Sequence, residues 1–306
     1  MNPLAAAVAH PRSAAVLGAL AIAFSGIFYL DSGVSPSTGV FFRCLYGLPI
    51  LLAVAWSERR TLGPMTRRTI GLCVVAGAFF AADLITFHYA VDVIGAGLGT
   101  VMDNVQVVIV AIVAWLVFGE RPRREVLVAI PIMLAGVFLI SGVVGTGAYG
   151  SNPVLGVQIG LVTAVSYAGY LLVIRRAAPD RRPAGPVAIA TAVTAVCAFV
   201  FGELVGDLDL VPSLPAHAYL LALGVLSQSV GYLVIQASLP RLPAVITSVL
   251  LLVQPVTTVI LGAILLAELP SPWQLTGVAM VLFGILLATG GLRRIAGAMR
   301  SRPAPA

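Results

Sequence analysis

The sequence has no lysine. All 18 basic residues are arginine, and with 12 acidic residues they make up only 10% of the 306 residues. Charge this scarce, beside 59% hydrophobic residues and a mean hydropathy of +1.04, excludes an ordinary soluble domain. Histidine is almost missing as well: only His10, His88 and His217 occur, with no HxxxH pair and no paired acidic motif. An intramembrane enzyme needs clustered ligands or acid–base groups, so catalysis, metal and cofactor are not expected. Cys44, Cys73 and Cys197 each lie alone in an apolar run and read as small core residues rather than a disulfide or metal site. No nucleotide-binding motif is present, and no stretch is long and polar enough to form an extramembrane domain.

What the chain does have is ten hydrophobic runs, each near the roughly 20 residues that cross a bilayer as a helix. They predict helices over 14–31, 38–56, 70–91, 95–118, 125–143, 154–174, 187–206, 217–237, 244–266 and 273–291. The runs are too long and too continuously apolar for barrel strands, and only barrels and helices satisfy their backbone groups in hydrocarbon. Glycine, 31 residues in all, recurs with Ala and Ser inside the runs, as close helix packing in membranes requires.

Seventeen arginines fall in alternating gaps: Arg12 before the first run, Arg59, Arg60, Arg67 and Arg68 after the second, Arg121, Arg123 and Arg124 after the fourth. Arg175, Arg176, Arg181 and Arg182 follow the sixth, Arg241 the eighth, and Arg293, Arg294, Arg300 and Arg302 the tenth. Positive charge concentrates in cytoplasmic loops, so both termini are expected in the cytoplasm. The net charge of +6 is then a collar facing the lipid bilayer, and no nucleic-acid partner is expected. The Ala-, Gly- and Arg-rich composition suggests a bacterial inner membrane. The first run, though it imitates a signal peptide, has a counterpart later in the chain and counts as a span.

Shifting the chain by 148 residues superposes 13 of 49 positions without a gap. Ala96 meets Ala244, Val105-Gln106 meets Val253-Gln254, Glu120-x-Pro122 meets Glu268-x-Pro270, and Gly136 and Gly142 meet Gly284 and Gly290. A weaker match at 141 brings Ser25 and Tyr29 onto Ser166 and Tyr170. Five spans per half is an odd number, so the second half must enter the membrane the opposite way up. The expected fold is all-α and integral to the membrane: ten transmembrane helices in two inverted five-helix repeats, residues 1–150 and 151–306. Inverted repeats are a recurrent architecture of secondary transporters.

On these residues, Val105-Gln106 through Glu120-Arg-Pro122 to Gly136 and Gln254-Pro255 through Glu268-Leu-Pro270 to Gly284, the chain resembles the drug/metabolite transporter superfamily. Within it the resemblance is to the ten-helix type built from two EamA repeats, and most to YddG-type amino acid exporters. The first repeat departs from the pattern at Val107, where proline is usual. The resemblance implies export of small metabolites through a central cavity lined by the third, fourth, eighth and ninth helices. Amino acids, aromatic or otherwise neutral, are the expected cargo; drugs, nucleosides and sugars are the alternative.

Ionisable groups within a span are costly and mark a cavity or a partner. Asp83 and His88 on the third helix are five residues apart and need not share a face; Asp103 and Gln106 on the fourth are three apart and do. They read either as substrate amino-group ligands, with His88 as a proton-linked switch, or as structural polar pairs. Gln228, Tyr232 and Gln236 make a spacing-of-four polar stripe on the eighth helix, facing a cavity or bonding between helices. Gln254 precedes Pro255, where a kink would free a carbonyl. Proton coupling and facilitated diffusion stay open, as do monomer and homodimer.

Four further features carry expectations. Arg43, the one arginine outside the cytoplasmic pattern, is expected to snorkel or to pair with Asp31, and less so to bind a carboxylate. Tyr167, Tyr170 and Trp115 suit an aromatic pocket, an interfacial belt or packing. Glu120 and Glu268 precede helix starts and are expected to cap them. Gly95-Ala-Gly97-Leu-Gly99 lacks the strand and fingerprint of a phosphate loop and reads as close helix packing.

Overall fold

The computed structural model describes residues 11–119, 121–177, 182, 184–238, 242 and 244–289, with the side chains of Phe118, Gln236 and residues 244–251 outside the description. Ten helices follow the ten runs. α1 is Pro11–Ala23 continued by Ser25–Ser32, and α2 is Pro36–Leu62. The segment Arg67–Asp103 bends at Gly95, whose φ of 83° lies in the left-handed region, so it holds α3 (67–94) and the start of α4. α4 resumes as Gln106–Phe118, and α5 is Arg124–Ile140. In the second half α6 is Pro153–Ala177, α7 Ala184–Val205, α9 Ala244–Leu265 and α10 Pro272–Ala288. α8 is composite, with Leu214–Ala222, a π-helical Leu223–Gly231, and Tyr232–Ser238.

Among the described residues six helical runs are long and apolar enough to cross a membrane, and three apolar helices are shorter. The 27-residue α2 reaches about 40 Å at 1.5 Å per residue, six residues further than the expected end at 56. The polarity is inverted relative to a soluble protein. Leu17, Leu116, Leu134, Val196 and Leu204 are exposed, whereas Arg43, Asp83, His88, Thr191 and Gln228 are buried. A bilayer as solvent rewards that arrangement.

The packing repeats itself. α1 packs on α8 and α9, α2 on α7 and α8, α3 on α6 and α7, α4 on α6 and α9, and α5 on α10. Adding five to each helix number reproduces the same pairs, as two related five-helix units require. Most contacts therefore run between the halves rather than within one. Where α5 crosses α10, a Cβ on Gly136 would lie 2.7 Å from the Gly277 carbonyl oxygen and one on Gly277 2.5 Å from that of Gly136. Neither helix tolerates a side chain there.

Helix direction alternates, so the ends of α2 and α6 share one end of the bundle with the starts of α1, α3, α5 and α7. That end carries Arg12, Arg59, Arg60, Arg67, Arg68, Arg123, Arg124, Arg175, Arg176 and Arg182. The opposite end carries Asp31, Glu203, Asp207, Asp209 and Glu268, and among the described residues no arginine.

Candidate functional site

Arg43 organises the middle of the bundle. It is 2% exposed, two turns into α2. Its Nε donates to Gln228 Oε1 at 2.7 Å and its Nη1 to Ser25 Oγ at 2.9 Å, while Gln228 Nε2 donates to Thr191 Oγ1 at 3.0 Å. One guanidinium thus ties α2 to α1 and α8, and through Gln228 to α7. The expected snorkelling or pairing with Asp31 is overturned. A charge eight residues into a 27-residue helix is far from the headgroups, and inward polar partners satisfy it instead.

Asp83 on α3 and Asp103 on α4 both lie within electrostatic range of Arg43 and of each other. Asp83 is 3% exposed. Asp103 is half-buried, and its Oδ1 has no hydrogen-bond partner among the described residues. Aromatic rings close the space around them. Phe80 stacks on Tyr170 with centroids 4.5 Å apart, Tyr170 on Tyr167 at 5.8 Å, and Tyr232 meets Phe80 edge-on at 5.7 Å. Asp103, Tyr167, Tyr232 and Gln254 all keep accessible surface although none is near the end of its span.

The other expected site residues are placed differently. His88 leaves Asp83 for the α1 side of α3, where it stacks on Tyr29 at 4.0 Å with its Nδ1 3.4 Å from the Pro36 carbonyl oxygen. Tyr29 in turn donates to Asp92 at 2.9 Å. Between Asp103 and Gln106 the helix tightens at Asn104 and Val105, both still right-handed, and the Val105 N–H donates to the Met102 carbonyl at 3.1 Å, so residues three apart stay on one face. Gln228 and Tyr232 both face inward, across a π-helical turn whose wider ring does not keep the spacing-of-four register. The side chain of Gln236 lies outside the described residues. Pro255 sits within a single helix, Ala244–Leu265, and Thr258 Oγ1 donates to the Gln254 carbonyl at 3.0 Å, which is not the residue-251 carbonyl that the missing Pro255 N–H would have bonded. Sequence reasoning also undervalued α2 and α6, which contribute Arg43, Tyr167 and Tyr170.

Carboxylates bind helix starts across the halves. Glu268 accepts from the Ala96 N–H at 2.5 Å and the Gly97 N–H at 2.9 Å. It therefore caps α4, not the α10 it precedes, which has its own capping box of Ser271 and Gln274. Ala267, at a left-handed φ of 53°, turns Glu268 back toward α4; its counterpart 148 residues earlier, Gly119, has a φ of 70°. A Cβ on Gly95 would lie 2.6 Å from Glu268 Oε1, and one on Gly97 3.1 Å from Oε2. The glycine-rich stretch is thus an anion socket whose anion is this chain's own carboxylate. Burial pushes Glu268 above the usual carboxylate range, and the two N–H groups pull it part of the way back. Glu120, its counterpart, lies outside the described residues.

At the arginine-rich end Glu58 accepts from the Ala184 and Gly185 N–H groups, both at 2.8 Å, capping α7. Arg182 returns the contact by donating to the carbonyls of Gly63, at 2.7 Å, and Leu62 at the end of α2. At the other end of the same pair Asp207 accepts from Tyr89 at 2.7 Å and, more weakly, from the Ser37 N–H at 3.5 Å. Its carbonyl accepts from Ser35 and Thr38. α2 and α7 are therefore clasped at both ends.

The central arrangement sets one guanidinium against two carboxylates within a ring of aromatics. When both acids are ionised the three charges sum to −1, which attracts an ammonium group while the rings take an apolar one.

Comparison with known proteins agrees with this architecture. The model of the EamA-like transporter family matches twice, at residues 13–142 and 154–290. The uncharacterized transporter YwfM of Bacillus subtilis (strain 168) is 27% identical over 259 residues, covering 83% of this chain and 84% of its own. The uncharacterized transporter sll1319 of Synechocystis sp. (strain ATCC 27184 / PCC 6803 / Kazusa) is 23% identical over 282 residues, covering 86% and 83%. A crystal structure described only as that of a protein superposes with a TM-score of 0.61 at 18% identity, over 90% of this chain and 98% of its own, a likeness of fold alone. With both five-helix halves matched, the chain belongs to the EamA-like transporter family.

Proposed function

We propose that this transporter exports small organic metabolites, foremost neutral and aromatic amino acids, by alternating access around the middle of the bundle, between its two halves, residues 1–150 and 151–306. The observation that supports this reading most is the Arg43–Asp83–Asp103 cluster, set mid-bundle beside Phe80, Tyr167, Tyr170 and Tyr232. Asp83 and Asp103 take the ammonium group, the aromatic rings take the side chain, and Tyr232 and Gln254 contribute polar contacts from α8 and α9. Arg43 lies within electrostatic range of the two acids and is itself bonded through Nε and Nη1 to Gln228 and Ser25.

Coupling to protons belongs to the same two carboxylates. Like charges sharing a site disfavour double ionisation, so arrival of an ammonium group and loss of a proton are linked. His88 is sealed between Tyr29 and Pro36 and is a packing residue in this reading. The arginine-rich end faces the cytoplasm, and the host membrane is a bacterial inner membrane.

Feeding dipeptides to bacteria that express the chain tests export directly, because hydrolysis overloads the cytoplasm with one amino acid. Expression is expected to relieve growth arrest by phenylalanine- or leucine-containing dipeptides, and Asp83→Asn to remove the relief. Protection against nucleosides or sugar phosphates, with none against any dipeptide, would move the substrate to that class.

A further inference from the structure

A cavity of about 650 Å³ opens at the arginine-rich end, between the end of α2, the loop to α3 and the start of α7. Its walls are apolar and face outward: Leu52 is 53% exposed, Trp56 59% and Ile70 41%, with Ile189 behind them. Its rim is cationic. Arg59 and Arg182 line it, and the Arg60 guanidinium lies 5.4 Å from the centre of the Trp56 ring. Among the described residues the only carboxylate in the lining is Glu58, whose oxygens accept from the Ala184 and Gly185 N–H groups. Glu58 offsets one charge, so Arg59, Arg60 and Arg182 leave the rim net positive among the described residues.

The depth of the cavity fixes the kind of ligand. Here the apolar belt of α2 gives way to Arg59 and Arg60, so the cavity spans the boundary between acyl chains and headgroups, where tryptophan concentrates. A small soluble anion would gain nothing from the apolar wall. A zwitterionic lipid would bring its own cation against the guanidiniums. A ligand with an apolar body and a net negative head satisfies both parts.

We propose that this cavity is a binding site for an anionic phospholipid, its acyl chains against Leu52, Trp56 and Ile70 and its phosphate at the arginine rim. The site is independent of the transported substrate. It abuts the Glu58–Arg182 clasp, so its occupant rests on the junction of the two halves.

Tryptophan fluorescence can read this site, because the chain has only Trp56, Trp115 and Trp273. A Trp115→Phe/Trp273→Phe variant keeps Trp56 alone and is reconstituted in mixtures of brominated and unbrominated lipid. Brominated phosphatidylglycerol is expected to quench Trp56 with an apparent affinity several-fold above brominated phosphatidylcholine, since an arginine at an anionic surface contributes roughly five-fold. Adding Arg59→Gln and Arg60→Gln should bring that ratio close to one. Trp273, at the acidic end, is the control; a Trp56→Phe/Trp115→Phe variant should show no preference. Equal quenching of Trp56 by the two lipids would overturn the proposal. So would an equal preference at Trp273, or a ratio unchanged by the arginine substitutions.

Discussion

Removing the Glu268 carboxylate should loosen the junction of α4 with the α9–α10 turn by a calculable amount. In Glu268→Ala two N–H groups, Ala96 and Gly97, lose acceptors at 2.5 and 2.9 Å in a place where the side chain is 2% exposed. A hydrogen bond to a charged group contributes about 1.5–3 kcal/mol, and the start of a helix adds up to ~1 kcal/mol of dipole interaction. Against this stands the cost of burying the carboxylate, visible in its raised pKa. A net loss of about 3 kcal/mol follows, equivalent to a fall in Tm of roughly 6 °C. Glu268→Gln keeps one acceptor oxygen and should lose about half as much.

The pH dependence gives an independent check. A folded-state pKa above the unfolded value means the stabilising contribution is fully present below the ordinary carboxyl value of 4.5 and is lost as pH rises through the raised value. Thermal unfolding in detergent, followed by tryptophan fluorescence from pH 4.5 upward, should show a decline in the parent protein that Glu268→Gln lacks. A Tm in Glu268→Ala within a degree of the parent would refute the capping account.

Three further substitutions test other parts of the fold. Ala267→Gly relieves a left-handed alanine that its counterpart Gly119 avoids, and should be neutral or stabilising by up to about 1 kcal/mol in the same unfolding assay, whereas Ala267→Val should destabilise. Gly136→Leu places a side chain where even a Cβ would lie 2.7 Å from the Gly277 carbonyl oxygen; α5 and α10 must separate, and a loss of about 3 kcal/mol or failure to accumulate is expected. Arg43→Met removes the guanidinium that bonds Gln228 and Ser25 and lies within electrostatic range of Asp83 and Asp103, and should cost about 3 kcal/mol, with Arg43→Met/Asp83→Asn recovering part of it in a double-mutant cycle.

The helices were legible because hydrocarbon leaves few choices: ten apolar runs of spanning length became ten helices, with shifts at their ends. The repeat was legible too, since Glu120-x-Pro122 and Glu268-x-Pro270 keep their spacing and Gly119 and Ala267 their left-handed turn. What could not be read was which side chain meets which across the halves. Glu268 finds Ala96 and Gly97, 172 and 171 residues away, so adjacency to α10 suggested the wrong helix. The Gly95–Gly97 stretch reads as close helix packing, and nothing local marks it as the socket for Glu268. Arg43 was misplaced for the same reason, since Gln228, 185 residues on, is its satisfying partner. The π-helical turn around Gln228 left no mark in the apolar pattern, and it changes which residues share a face. Ser229 Oγ, which accompanies it by donating to the Gly224 carbonyl at 2.9 Å, is the one local hint.

The central claim is that Asp83 and Asp103 receive the substrate. Counterflow of labelled phenylalanine in proteoliposomes, with the parent protein beside Asp83→Asn and Asp103→Asn, tests it most directly. Saturable exchange is expected in the parent, inhibited by other neutral amino acids, with a loss of at least ten-fold in each variant while Tm stays near the parent's. Parental exchange in both variants would contradict it.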